Sequence, residues 1–266
     1  MKIFENQRNK KAVLGLVHLL PLPGTPYHKE GNFDLALEKA LIDVKALQNG
    51  GADGCLVQTV DGIYPPGDEV DPARLAALAA IVYEVSKIKQ DDFQVGVQIM
   101  INGLHGALAI AKVFDGSYLR CAAFVGKMIS GSGTVEANPY EFQKYRRYLN
   151  ALDIKIIAEV DGMHFHWVNN EKTTKEVAQL AKYSGAHAVE VAAADEKENQ
   201  LKVLAVKEIN PEIPVVLGGY TNHENASRRL ANADGAFVGT CLEKEGWGGN
   251  IDEDLVKDYV KIVNSL

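Results

Sequence analysis

The chain has 266 residues, 47% of them hydrophobic and 24% charged, with a formal net charge of −7. This is the composition of a soluble globular protein, long enough to bury the core of one large α/β domain or two small ones. The acidic balance argues against general nucleic-acid binding, which needs a basic surface, but it leaves room for a local phosphate site.

The polar N-terminus, MKIFENQRNKK, has no apolar signal core, and no run of about 18 apolar residues suggests a membrane span. The three cysteines, Cys55, Cys121 and Cys241, form no CxxC pair. They read as buried free thiols, and the protein as cytoplasmic.

Short apolar runs bounded by Gly or Pro predict eight strands. They are AVLGLVH (from Ala12), DGCLVQ (Asp53), FQVGVQIM (Phe93), SYLRCAAF (Ser117), IKIIAEV (Ile154), AHAVEVA (Ala186), IPVVLGG (Ile213) and GAFVGT (Gly235). Helical patterns lie between them. DLALEKALIDVKALQNGG puts Leu37, Leu41, Val44 and Leu47 on one face and stops at Gly50-Gly51. Asp71-Pro72 and Asn138-Pro139 read as N-caps with proline in the first turn. Thr173 with Glu176, and Thr221 with Glu224, have capping-box spacing. A last helix is expected from about Asp252 to Val263. Parallel strands need crossover helices, and eight such units close into a barrel. A doubly wound sheet usually carries a glycine-rich first turn; HLLPLPGTP lacks one. The expectation is a single (β/α)8 TIM barrel spanning residues 1–266. Exposed helices such as LAALAAIVYEV (from Leu75) offer surfaces for a homo-oligomer.

Chemistry in such a barrel sits at the C-terminal ends of the strands. Gly218-Gly219 ends the seventh strand and Gly239-Thr240 the eighth. Glycine lets an anion approach backbone N–H groups, and a helix starting near Thr221 would aim its N-terminus at the same place. Lys244 could add a point charge. Tight turns also favour glycine, so the pattern has a purely structural reading as well.

VLGLVHLLPLPGTP, LQNGGADG and LGGYTNHENASRRLANADGAFVGTCLEKEG together resemble the BtpA/SgcQ family across essentially the whole chain. The resemblance implies a (β/α)8 barrel akin to phosphate-binding barrels. One branch of the family is linked to photosystem I biogenesis, and others occur beside sugar-transport and sugar-metabolism genes. The departures fall in the centre. The family's Glu-Asn-Phe-Gly-Asp becomes QTVDG, with Gln58 and Thr59 in the first two places. Asn-Val-Leu-Arg-Asn becomes QIMIN, which loses the arginine at Ile101 and keeps Asn102. Arg-Val-Asn becomes Arg120-Cys121-Ala122, and Asp-Val-His-x-Lys-His becomes Glu159-Val160-Asp161-Gly162-Met163-His164. Either the ligand differs, or chemistry has been lost and binding kept.

Strand alternation sets Leu14, Leu16 and His18 on one side, and lets Gln98, Arg120, Glu159, Asp161 and Glu190 point inward. Asn102 and His164 lie on the loops beyond. Glu159 and Glu190, on neighbouring strands, would push each other's pKa values apart, which suits acid–base work. The alternative is that Arg120 and Lys155 neutralise them. In DGMHFHW, the His-x-His spacing puts His164 and His166 on one side; with Asp161 and Glu159 they could hold a divalent metal ion, or simply pack as a lid. SGSGTVE, Ser130 to Glu136, reads as a mobile loop. His28, His105, His187 and His223 read as surface or helix-end residues.

The expected function is binding of a small phosphorylated, sugar-phosphate-like metabolite. Gly218, Gly219, Gly239, Thr240, Lys244, Asn102, Arg120, Gln98 and Gln58 are the ligand-binding candidates. His18, Glu159, Glu190 and His164 are the acid–base candidates, for isomerisation, epimerisation, aldol cleavage or metal-assisted hydrolysis. The alternative is a non-catalytic assembly factor or ligand sensor.

Overall fold

A computed structural model describes residues 1–165, 167 and 172–266. The barrel strands are β1 (Ala12–His18), β2 (Gly54–Gln58), β3 (Gln94–Gln98), β4 (Tyr118–Cys121), β7 (Lys155–Asp161), β8 (Ala188–Val191), β9 (Val215–Leu217) and β10 (Gly235–Val238). They close in the order β1-β10-β9-β8-β7-β4-β3-β2, every neighbouring pair parallel. All eight expected strands are present.

Alternation along each strand divides the core in two. Side chains facing out pack under the helices, among them Val13, Val17, Cys55, Val57, Val97, Leu119, Ala158 and Val189. Side chains facing in form a separate cluster: Leu14, Leu16, Leu56, Tyr118, Ile157, Ala188, Val216 and Phe237, plugged from below by Ile3 and Phe4. Two residues further along, the same inward rows become polar: His18, Gln58, Arg120, Glu159 and Glu190, with Gly218 and Gly239 completing the ring. The period of two thus carries each strand from an apolar barrel floor to a polar mouth. Asp53 ties the N-terminal end together by accepting from the amides of Arg8, Asn9 and Val13 at 2.7, 3.1 and 2.8 Å.

The helices are α1 (Asn32–Asn49), α2 (Pro72–Ile88), α3 (Leu104–Val113), α4 (Pro139–Tyr148), α5 (Thr174–Tyr183), α6 (Glu196–Ile209), α7 (Ala226–Arg229) and α8 (Glu253–Asn264). Asp71 and Asn138 cap α2 and α4 from the position before proline, and Thr173 with Glu176 forms the expected capping box on α5. The spacing fails at Thr221. There Asn222 Oδ1 accepts from the amides of Glu224 and Asn225, at 2.9 and 3.0 Å, and makes an Asn-headed turn. The helix starts late and has only four residues, so no dipole of consequence points at the barrel mouth.

SGSGTVE also differs from its expected form. It lies in an antiparallel hairpin of β5 (Lys127–Ser130) and β6 (Gly133–Glu136), which extends the β4–α4 loop. Met128 and Val135 anchor one side of it in the core, while Ile129 on the other side is exposed. Glu136 pairs with Lys127 on the outside.

His187 departs from its surface reading too. Its Nδ1 accepts from the Ile156 amide at 3.0 Å. Burial, with Arg146 and Lys155 nearby, lowers its pKa from 6.5 to about 4. The folded chain therefore favours neutral His187, and the unfolded chain takes up the proton first as pH falls below 6.5. The contribution is whole above that value and is lost toward about pH 4. We expect the thermal midpoint of the protein to fall more between pH 7 and 5 than that of His187→Gln, measured by calorimetry; equal falls would contradict this.

Candidate active site

A cavity of about 690 Å³ opens at the C-terminal ends of the strands. His18, Gln58, Arg120, His164, Gly218, Gly219, Gly239 and Thr240 all line it. A second hollow of about 630 Å³ adjoins it, sharing Gln58, Met163, His164 and Trp247.

Two imidazoles are held over this space by buried carboxylates. His18 Nδ1 lies 2.9 Å from Glu243 Oε1, and Glu243 Oε2 accepts from the Gly248 amide at 3.0 Å. His164 Nδ1 lies 3.2 Å from Glu159 Oε2, and Glu159 Oε1 accepts from the amides of His164 and Phe165 at 2.7 and 3.2 Å. An ionised carboxylate only accepts, so each Nδ1 carries the proton of that bond, and each Nε2 is left as an acceptor with no partner among the described residues. β1 and β7 stand four strands apart whichever way the barrel is counted, so the two dyads rise from opposite walls.

Arg120 and Glu190 form a different unit. Arg120 Nε and Nη2 fork onto Glu190 at 2.7 and 2.6 Å, and the guanidinium lies 4.8 Å from the Phe237 ring centre. Lys155 takes no part in this pairing. Burial pushes the Glu190 carboxyl up, Arg120 pulls against it, and Glu159 adds to the rise. Burial also acts to raise Glu159, but the His164 imidazole and amide, with Arg120, outweigh it and hold that carboxyl below its ordinary value. The two acids are indeed driven apart, but Glu190 has its oxygens committed to Arg120.

The glycine pair after β9 divides in its roles. The Gly218 amide donates to Val191 O at 3.0 Å, and a Cβ on Gly218 would overlap Glu190 Oε1. Its small size serves the Arg120–Glu190 fork. Gly219 has φ +148°, a conformation open to glycine. Among the described residues, the amides of Gly219 and Gly239 meet no protein acceptor.

Several candidates lie elsewhere. Lys244 is 77% exposed, 3.9 Å from Asp252, and lines neither hollow. Asn102 is buried and braces the Ala123 amide at 3.0 Å. Gln98 is buried beside Gln58 in the β2–β3 register, and neither of its amide atoms has a partner among the described residues. Asp161 is turned away from the mouth by an irregularity between Glu159 and Asp161 that inserts Val160 and reverses the alternation. It binds Thr174 and Lys202 on the outer side. This separates it from His164 as a metal ligand. His166 lies outside the described residues, and among those described no cluster of three or more His, Cys, Asp or Glu could hold a metal.

Three site residues have no simple sequence signal. Glu243 reaches His18 because the loop after β10 folds back on itself, with Lys244 N donating to Asn250 O. Trp247, in the same loop, packs on His18 with ring centres 4.4 Å apart and the planes tilted by 42°. Arg229 lines the cavity, is 3% exposed, and has no carboxylate partner among the described residues. It donates to the carbonyls of Ala193 and Ala194, and its Nε has no partner among them.

Residues 9–265 match the profile of the BtpA family. The chain belongs to that family. A BtpA-family relative from Synechocystis, named photosystem I biogenesis protein BtpA, is 29% identical over 255 residues, covering 95% of this chain and 86% of its own. The same barrel recurs in tryptophan synthase from M. tuberculosis, with TM-score 0.63 and 16% identity over 96% of this chain and 94% of that one. It recurs again in N-(5′-phosphoribosyl)anthranilate isomerase from Pyrococcus furiosus, with TM-score 0.56 and 15% identity over 96% and 100%. At such identities these two establish the fold alone. No helix among the described residues is long and apolar enough to cross a membrane. Cys55, Cys121 and Cys241 are free; burial raises all three thiols, Cys241 to about 12.

Proposed function

We propose that this BtpA-family protein is an acid–base enzyme acting on a small phosphomonoester. The observation that carries the reading is the pair of carboxylate-held imidazoles on opposite walls of one cavity. One Nε2 removes a proton next to a carbonyl, and the opposite imidazole, once protonated, returns one elsewhere on the substrate; isomerisation and epimerisation both need this division of labour. Glu243 and Glu159 stabilise the imidazolium that forms on each side. Gln58 and Arg120, which line the cavity, polarise the carbonyl in this reading.

The phosphate goes to the β9–β10 side. Amides at Gly219 and Gly239 that meet no acceptor among the described residues, with the cationic Arg229 and its Nε–H, which likewise has no partner among them, make that rim receptive to an anion. The isomerase of the same fold, whose name includes a phosphoribosyl group, fits this reading by analogy.

A thermal-shift series tests the binding half. Phosphomonoesters at about 100 times their Kd should raise the unfolding midpoint by the equivalent of about 2.7 kcal/mol, and their dephosphorylated forms should not. Equal shifts from both forms, or none from either, would contradict the proposal. Proton exchange of bound compounds in D2O, followed by NMR, tests the chemical half; binding without exchange would favour a ligand sensor.

A further inference from the structure

The second hollow differs in chemistry from the first. Among the described residues, Gln58, Tyr64, Ser130, Ser132 and His164 are its polar side chains, and no Asp, Glu, Lys or Arg lines it. Large apolar side chains stand exposed around it: Ile63, Ile129, Met163 and Trp247, the last two 47% and 64% accessible. Exposed apolar side chains gathered at one concave place mark a binding surface, whereas scattered ones do not. A polyhydroxylated chain would leave its hydroxyl groups facing these side chains, with few partners and a desolvation cost.

We propose that the second hollow is a subsite for a flat ring, so that the ligand is a phosphomonoester carrying an aromatic or heteroaromatic group. The inference rests on the phosphate reading above and narrows its substrate class. Continuity carries it: Gln58, Met163, His164 and Trp247 border both hollows, so a ligand anchored at Gly219 and Gly239 extends past the two imidazoles into the apolar one. Trp247 stands at the join, its indole tilted on His18, where its face is available to a ring. The β5–β6 hairpin supplies the far wall. Alternation buries Met128 and Val135 as its anchor and leaves Ile129 for the ligand. A hairpin spanning a gap has no need of an exposed isoleucine there. Gln58 and the two serines offer hydrogen bonds to ring heteroatoms.

Ribose 5-phosphate and the 5′-monophosphates of uridine, cytidine, adenosine and inosine share one phosphoribosyl group and differ in the ring. Titration calorimetry, with Trp247 fluorescence alongside, should find at least one nucleotide binding about tenfold more tightly than ribose 5-phosphate. Ile129→Ser should cut that preference to about threefold or less and leave ribose 5-phosphate affinity unchanged. Equal affinities for ribose 5-phosphate and every nucleotide would overturn the ring subsite and leave the phosphate reading intact. Absence of binding by all five would overturn both. Should Ile129→Ser change the protein's size in solution without altering the preference, the patch would be a subunit contact and the subsite would fall.

Discussion

Arg120→Leu should destabilise the protein by about 3–5 kcal/mol, because it leaves Glu190 buried without its counter-ion. For a chain of this size that is a fall of roughly ten degrees in the unfolding midpoint. Arg120→Leu combined with Glu190→Leu should recover most of the loss, since an apolar pair of suitable volume replaces a buried ion pair at little cost. Calorimetry of both variants separates the two accounts of these residues. If Arg120→Leu unfolds with the midpoint of the parent chain, Glu190 is not held as the structure indicates. Part of the same unit is Gly218, whose missing Cβ makes room for Glu190 Oε1.

His18→Gln and His164→Gln should each reduce turnover of a bound phosphomonoester by about 10²–10⁴, the range of general acid–base catalysis, with little change in unfolding midpoint. Both side chains sit at the cavity wall, so losing either disturbs the outer core little. Glu243→Gln and Glu159→Gln should give smaller losses, because an amide can still orient an imidazole but cannot stabilise its protonated form. The pattern distinguishes opposed imidazoles from a single base: if one histidine variant keeps full turnover, the two-sided mechanism fails. Proton exchange at the substrate carbon, measured in each variant, assigns which imidazole removes the proton.

Much of this was legible in the sequence because the barrel repeats a period of two at each strand. Leu14, Leu16 and His18 on β1 show how: reading alternate residues upward from the apolar floor reaches the polar mouth without knowing any contact. The same count placed Arg120, Glu159 and Glu190 inward. It failed at Asp161, where one inserted residue, Val160, turns the next side chain outward. A bulge breaks the only regularity on which such counting depends. Arg229, Glu243 and Trp247 were out of reach for another reason. They stand on α7 and the loop after β10, where direction is set by particular hydrogen bonds, such as Gly248 to Glu243 and Arg229 to Ala193, and not by a period. The two glycines after β9 look alike in sequence and differ in their surroundings. Gly219 carries a positive φ and an amide with no acceptor among the described residues, while Gly218 is small for the sake of a carboxylate from the neighbouring strand.

The anion site is tested most directly by following backbone amide resonances while inorganic phosphate is added to the full chain. We expect the amides of Gly219 and Gly239, with the Nε–H of Arg229, to shift together along one saturating curve. Phosphate that moves other resonances and leaves those three in place would contradict an anion site at the ends of β9 and β10.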